Sequence, residues 1–252
     1  MLKAIFAALF GLICLQAASP QNPLRVAAAA NLQPVLPPIL EQFREATGIL
    51  VEASYGASAM LTAQIQNGAP FDLFLSADMG FPKRLIDAGL ADATAPVAYA
   101  KGTLVLWTRK DSHLPPPSLG LLRDPALKRL AIANPENAPY GRAAVATLTS
   151  LNLYEALKPR LVTAENIAQA AQFVDSGNAD AGLISLSAAV TPQLASSGTY
   201  FVIPHDLYPP IEQGAVVIRR TQQPAAAHRL LDYLLTAQVQ AQLAKSGLTP
   251  VR

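Results

Sequence analysis

The stretch Ser54-Tyr55-Gly56-Ala57-Ser58-Ala59-Met60-Leu61-Thr62-Ala63-Gln64-Ile65 runs from small residues into an apolar pattern with helical spacing, and Asn67-Gly68 supplies the stop expected at a helix C-terminus. Gly56 and Ala57 leave the backbone uncovered just ahead of Ser58. A serine at a helix start lies among N–H groups that have no intrahelical partner, with its own hydroxyl free to point the same way. Two readings of Ser58 stand side by side: an ordinary N-cap, or one donor of an anion site built on the helix N-terminus.

The flanking segments decide the fold class. Leu24 to Ala30 is a short apolar run that reads as a buried strand. Asn31 is placed to cap a helix whose apolar face carries Leu32, Val35, Leu36, Ile39, Leu40 and Phe43, with Gly48 just beyond its end. Pro34, Pro37 and Pro38 fall in its first turns, where proline is tolerated. Ile49 to Tyr55 is the next strand and leads into the Ser58 helix. Phe71 to Ser76 is a third strand, and Ala77-Asp78 opens a third helix that ends at Gly89. Strand–helix repeated in this way predicts an α/β fold with a parallel sheet covered on both faces. Ligands of such sheets collect beyond the carboxyl ends of the strands, and Asn31 and Ser58 both stand at that end.

Farther along, Val97 to Thr108 is one long β-rich run, followed by a proline-rich loop over Asp111 to Ser118. Leu130 to Ala133 reads as a strand, then Asn134-Pro135-Glu136-Asn137-Ala138-Pro139-Tyr140-Gly141 leads into a helix to about Leu151. Thr163 is placed to cap a further helix ending near Ser176-Gly177. Ala181 to Leu186, Tyr200 to Pro204 and Ile211 to Ile218 are β-like, and His228 to Lys245 reads as a single closing amphipathic helix.

Composition bounds the function. The chain has 252 residues, 51% hydrophobic and 14% charged, enough for a large core. Its net charge of +2 comes with no basic patch or charged tail, which argues against nucleic acid as a partner. Residues 1–19 differ from the rest: Lys3, an apolar run from Ala4 to Leu15, then Ala17-Ala18-Ser19. This predicts a secretory signal peptide and a periplasmic destination. Cys14, the only cysteine, lies inside that leader, so no disulfide is expected in the mature chain.

Four segments in order resemble the periplasmic molybdate-binding proteins of ABC importers: Ala28-Ala29-Ala30-Asn31-Leu32, Tyr55-Gly56-Ala57-Ser58-Ala59, Gly68-Ala69-Pro70-Phe71-Asp72-Leu73-Phe74-Leu75-Ser76-Ala77-Asp78, and Asn134 to Gly141. The third is the most specific, and the resemblance extends from about Leu24 to Val251. It implies a type II periplasmic binding fold with a ligand cleft between two α/β lobes, the first from 24–98 plus 206–252 and the second from 99–205. It implies capture of molybdate, and of tungstate, for a membrane permease. No cofactor, no catalysis and a monomeric protein are expected. Carried over residue by residue, the oxyanion ligands are Asn31, Ser58, Tyr140, Ile167 and Ser185, and the metal enters only as its oxyanion. Asn31 stands where many members have Ser, and its amide N–H can donate in the same way. Ser185 stands where members often have Tyr, a shorter side chain for which Tyr140 is placed to compensate.

The residues themselves suit that role. Val26 to Leu36 and Tyr55 to Gln66 contain no Lys, Arg, Asp or Glu. Neutral donors to a charged acceptor form hydrogen bonds worth about 1.5–3 kcal/mol each. A cage of donors without an acceptor discriminates against protonated oxyanions, whose O–H would go unpaired. Glu136 and Glu165 lie near these segments and are expected to face solvent. Two rivals remain. A hydrolase reading lacks a Gly-x-Ser-x-Gly elbow, and His113, His205 and His228 are isolated from any candidate nucleophile. A different ligand, another oxyanion or a small organic acid, stays open because Arg142 follows Tyr140-Gly141 and an arginine clamp suits carboxylates.

Overall fold

A computed structural model describes residues 22–251. The leader expected at 1–19, with Cys14, lies outside the described residues. The strands are β1 (Leu24–Ala29), β2 (Val51–Gly56), β3 (Leu73–Leu75), β4 (Val97–Gly102), β5 (Leu104–Arg109), β6 (Leu130–Ala133), β7 (Leu161–Ala164), β8 (Ala181–Ser185), β9 (Gly198–Val202) and β10 (Ile211–Val217). The helices are α1 (Leu36–Thr47), α2 (Ser58–Gln66), α3 (Gly80–Asp87), α4 (Pro139–Ser150), α5 (Tyr154–Leu157), α6 (Ile167–Asp175), α7 (Leu186–Ala189), α8 (Pro192–Ser197), α9 (Pro224–Leu234) and α10 (Ala237–Lys245).

The strands form two five-stranded sheets, ordered β2-β1-β3-β10-β4 and β7-β6-β8-β5-β9. In the first, β1 pairs in parallel with β2 and β3, as the strand–helix repeat requires, and β10 closes the far side antiparallel. Its two faces are covered separately. Leu36, Ile39 and Phe43 of α1 pack with Leu230 and Leu234 of α9 and Leu243 of α10, while Leu61 and Ile65 of α2 pack with Phe81 and Leu85 of α3. The second sheet is buried around Trp107, Ile132, Leu148, Val174 and Ile184. Both sheets are therefore sandwiched between helices, the α/β arrangement expected of buried parallel strands.

Three expectations shift. The run Val97 to Thr108 is two strands on different sheets: β4 pairs with β10, and β5 pairs with β8 and β9. The chain thus crosses between lobes at Thr103, since a division at 98/99 would cut β4; it returns between Val202 and Ile211. The break falls at Lys101-Gly102-Thr103, but a β-rich run cannot by itself show that its halves find different partners. The closing helix is two helices, α9 and α10, because Thr236 accepts the Val239 N–H and restarts the coil there. Asn31 does not cap α1. It lies inside a short 3-10 turn, Ala30–Leu32, and α1 begins at Leu36 with Pro37 in its first turn.

Candidate functional site

The carboxyl ends of β1 and β2 carry the first two predicted residues. Asn31 follows β1 in its 3-10 turn, and Ser58 opens α2 directly after β2. Ser58 is not the N-cap. Ala57 holds that position without a side-chain hydrogen bond, and the Ser58 hydroxyl instead accepts the Ala77 N–H at 3.1 Å. That contact ties the start of α2 to the loop after β3, where Asp78 accepts the Phe81 N–H in the first turn of α3 at 2.9 Å.

The second lobe supplies the other side. Between β6 and α4, the Asn134 carbonyl accepts from the Asn137 and Ala138 N–H groups and its side chain accepts from the Glu136 N–H, a compact turn. The turn delivers Tyr140 to the first turn of α4 and presents the Asn137 carbonyl to the Ala59 N–H of α2 at 3.1 Å. Ile167 is the first residue of α6. Asn166, rather than Thr163, is the cap, accepting the Gln169 N–H at 3.0 Å, while Gln169 Oε1 accepts the Glu165 N–H at 2.7 Å. The Gln169 side chain reaches back to the residue before the cap, so the start of α6 is tied by two side-chain bonds, and the cap falls three residues later than expected.

Asn31, Ser58, Tyr140, Ile167 and Ser185 are all buried, none more than 3% exposed. The interlobe bonds show why. Ser187 Oγ donates to the Asn31 carbonyl at 2.9 Å, Gln213 Nε2 donates to Tyr140 Oη at 3.3 Å, and Arg142 pairs with Asp78. Ala29, Ala30 and Ala77 of the first lobe pack into the core of the second. The two lobes are closed on each other. Asn31 Nδ2 donates to Gln213 Oε1 at 3.2 Å, and Asn31 Oδ1 is buried without a protein partner. The Ser185 hydroxyl caps α7 by accepting the Ala188 N–H at 3.3 Å and lies 3.1 Å from Ser187 Oγ. The Ser187 hydroxyl thus sits between the Asn31 carbonyl and the Ser185 hydroxyl, with both within hydrogen-bond distance as acceptors of its proton.

The electrostatics are those of uncharged dipoles. Glu136 and Glu165 are exposed, as expected, and the nearest carboxylate, Asp78, is engaged by Arg142. Arg142 also lies 5.3 Å from the Phe81 ring centroid, so its guanidinium has a carboxylate and an aromatic face as partners. Burial pushes the Tyr140 and Tyr99 hydroxyls well above the ordinary phenol range, so both keep their protons and can donate throughout the neutral range. His113, His205 and His228 are exposed on separate elements. Among the described residues no cluster of three or more His, Cys, Asp or Glu is arranged to hold a metal cation. Sequence reasoning missed Gln213, Tyr99 and Ser187. A polar residue at a buried position of the strand Ile211 to Val217, next to the exposed Glu212, was the signal for the first.

The chain matches the sequence profile of the bacterial extracellular solute-binding proteins over residues 24–249, and it belongs to that family. It is 41% identical over 220 residues to the molybdate-binding protein ModA of Azotobacter vinelandii, covering 87% of each chain. It is 38% identical over 221 residues to the protein of the same name from Rhodobacter capsulatus, covering 88% of this chain and 86% of that one. Among solved structures it superposes on the Azotobacter vinelandii periplasmic molybdate-binding protein with a TM-score of 0.85 at 32% identity, covering 91% of this chain and all of the other. The fold is the two-lobed type II periplasmic binding fold expected from the sequence.

Proposed function

We propose that the protein captures molybdate, and tungstate by the same contacts, outside the cytoplasmic membrane and delivers it as a monomer to the permease of an ABC importer. The observation that carries this reading is the meeting of Asn31 and Ser58 from one lobe with Tyr140 and the start of α6 from the other, with the nearby carboxylates exposed or paired. The second N–H of Asn31 Nδ2, Ser58 Oγ–H, Tyr140 Oη–H and the Ile167 backbone N–H are the donors. Ser185 acts through Ser187 and the Asn31 carbonyl. Relatives named for molybdate binding at about two-fifths identity support the choice of ligand.

Four charge-assisted hydrogen bonds at roughly 1.5–3 kcal/mol each together bracket the about 8 kcal/mol of a dissociation constant near 1 μM. Helix N-termini add a favourable field that is stronger in a closed cleft than in water. Closure follows from ligand contacts shared by both lobes. Calorimetric titration of the mature protein with molybdate, tungstate, sulfate and phosphate tests the reading. Micromolar or tighter binding of the first two, and none of phosphate, is the expected result. Equal binding of phosphate, or heat from none of the four, contradicts it. X-ray scattering with and without molybdate adds a check, since an unchanged profile at saturation counts against closure.

A further inference from the structure

Gln213 is a fully buried amide on a strand whose other inward residues are apolar. The register of β10 against β4 shifts between Gln213 and Gly214, a bulge of the kind that re-aims a side chain. Gly214 allows the close approach this needs, because a Cβ there would lie 2.7 Å from Met79 Sδ. Gly102, paired with Ile211 on β4, leaves room on the other side. A Cβ at Gly102 would overlap the Tyr140 hydroxyl and sit 3.1 Å from Gln213 Nε2.

The amide so placed touches both lobes. Its oxygen accepts from Asn31 Nδ2 at 3.2 Å and lies 2.9 Å from Tyr99 Oη; its nitrogen donates to Tyr140 Oη at 3.3 Å. We infer that Gln213 is a positioning residue of the oxyanion site: it holds Asn31 and Tyr140 with their free protons directed at the ligand, and so sets affinity without touching it.

A phenol has one proton. By donating to Tyr140 Oη, Gln213 occupies a lone pair there and leaves the Tyr140 proton for the cleft. By accepting one N–H of Asn31, it leaves the other N–H of the same nitrogen available. The reversed amide would do the opposite: its oxygen would claim the Tyr140 proton, and its nitrogen would face the Asn31 nitrogen, donor against donor. Tyr99 has two acceptors for its single proton, the Ser76 carbonyl at 3.0 Å and the amide oxygen at 2.9 Å, so it is the Asn31 contact that favours the first arrangement. The orientation of one buried amide therefore decides whether Tyr140 is a donor to the ligand.

This inference rests on the oxyanion reading above, and a double-mutant cycle separates the two. Molybdate affinity is measured by calorimetry for the wild type, Gln213→Met, Tyr140→Phe and the double variant. Methionine keeps the length of glutamine and can neither donate nor hold the amide pattern. Gln213→Met is expected to weaken molybdate binding about 10–100-fold when Tyr140 is present, the loss of one charge-assisted hydrogen bond, and no more than about threefold further once Tyr140→Phe has removed the hydroxyl. The same factor in both backgrounds means that Gln213 only fills space, and overturns the inference while leaving the ligand reading intact. A wild type that binds no molybdate overturns both. Should Gln213→Met fail to fold by circular dichroism, Gln213→Glu replaces it. A carboxylate can only accept and draws the Tyr140 proton away, so affinity within threefold of wild type overturns the inference and a loss beyond about 100-fold supports it.

Discussion

The starts of α2 and α6 belong to different lobes and are built in opposite ways. At α2 the N-cap is Ala57, which offers no side-chain hydrogen bond, and the polar residue comes one position later as Ser58. At α6 the N-cap is Asn166, which satisfies the Gln169 N–H internally, and the first helical residue is the apolar Ile167. An uncapped start leaves its N–H groups and one hydroxyl for outside partners, as the Ala59 N–H shows by bonding Asn137. A capped start spends its third N–H on itself and keeps only backbone donors of the first positions. The α2 start therefore presents a side-chain hydroxyl beside its backbone donors, and the α6 start presents backbone donors only.

Substitutions on the two sides should separate these roles. Ser58→Ala should have the largest effect, weakening molybdate binding by about 10–100-fold in calorimetry, because it removes a hydrogen bond to a charged group worth roughly 1.5–3 kcal/mol. The hydroxyl of the second lobe should show itself in the alkaline limb of stability. Tyr99 and Tyr140 are buried with their ionisation pushed above the ordinary value of 10.0. Their folded-state stabilisation is complete below that pH and is lost as pH rises through the raised values, because the unfolded chain then binds fewer protons. Chemical denaturation should find stability falling above about pH 10, by at most about 1.4 kcal/mol per pH unit for each tyrosine, and Tyr140→Phe should flatten the slope.

On the α6 side, Asn166→Ala should cost about 1 kcal/mol of folding stability, as loss of a cap does, while molybdate affinity changes less than about threefold. Smallest of all, Ile167→Val should cost about 0.5–1.5 kcal/mol of stability and leave affinity within about twofold, because the donor there is backbone. A large affinity loss from Ile167→Val would erase the contrast between the two helix starts.

Much of this architecture was legible in the sequence because it is local. Leu24 to Ala29 and Leu130 to Ala133 are apolar runs of strand length, and the helix at Ser58 starts and stops at the residues its pattern marks. What was not legible depends on partners far apart in the chain. Gln213 reaches Asn31 across 182 positions and Tyr99 across 114, and nothing near Gln213 announces either. The divided run Val97 to Thr108 is likewise settled by which strands lie beside each half. Cap positions moved by one to four residues: α1 and α2 start at Val35 and Ala57 without a side-chain cap, and at α6 Asn166 takes the place expected for Thr163. The five residues named from family resemblance are all buried, and Ser185 is engaged by Ala188 and Ser187.

The central claim is that neutral dipoles alone hold a doubly charged ion. A crystal structure of the protein with molybdate tests it most directly. The expected result is a tetrahedral ion between the lobes, its oxygens about 2.7–3.1 Å from Asn31 Nδ2, Ser58 Oγ, Tyr140 Oη and the Ile167 nitrogen, with no lysine or arginine side chain in contact. An ion bound by a guanidinium or ammonium group, or seated away from these four donors, would contradict it.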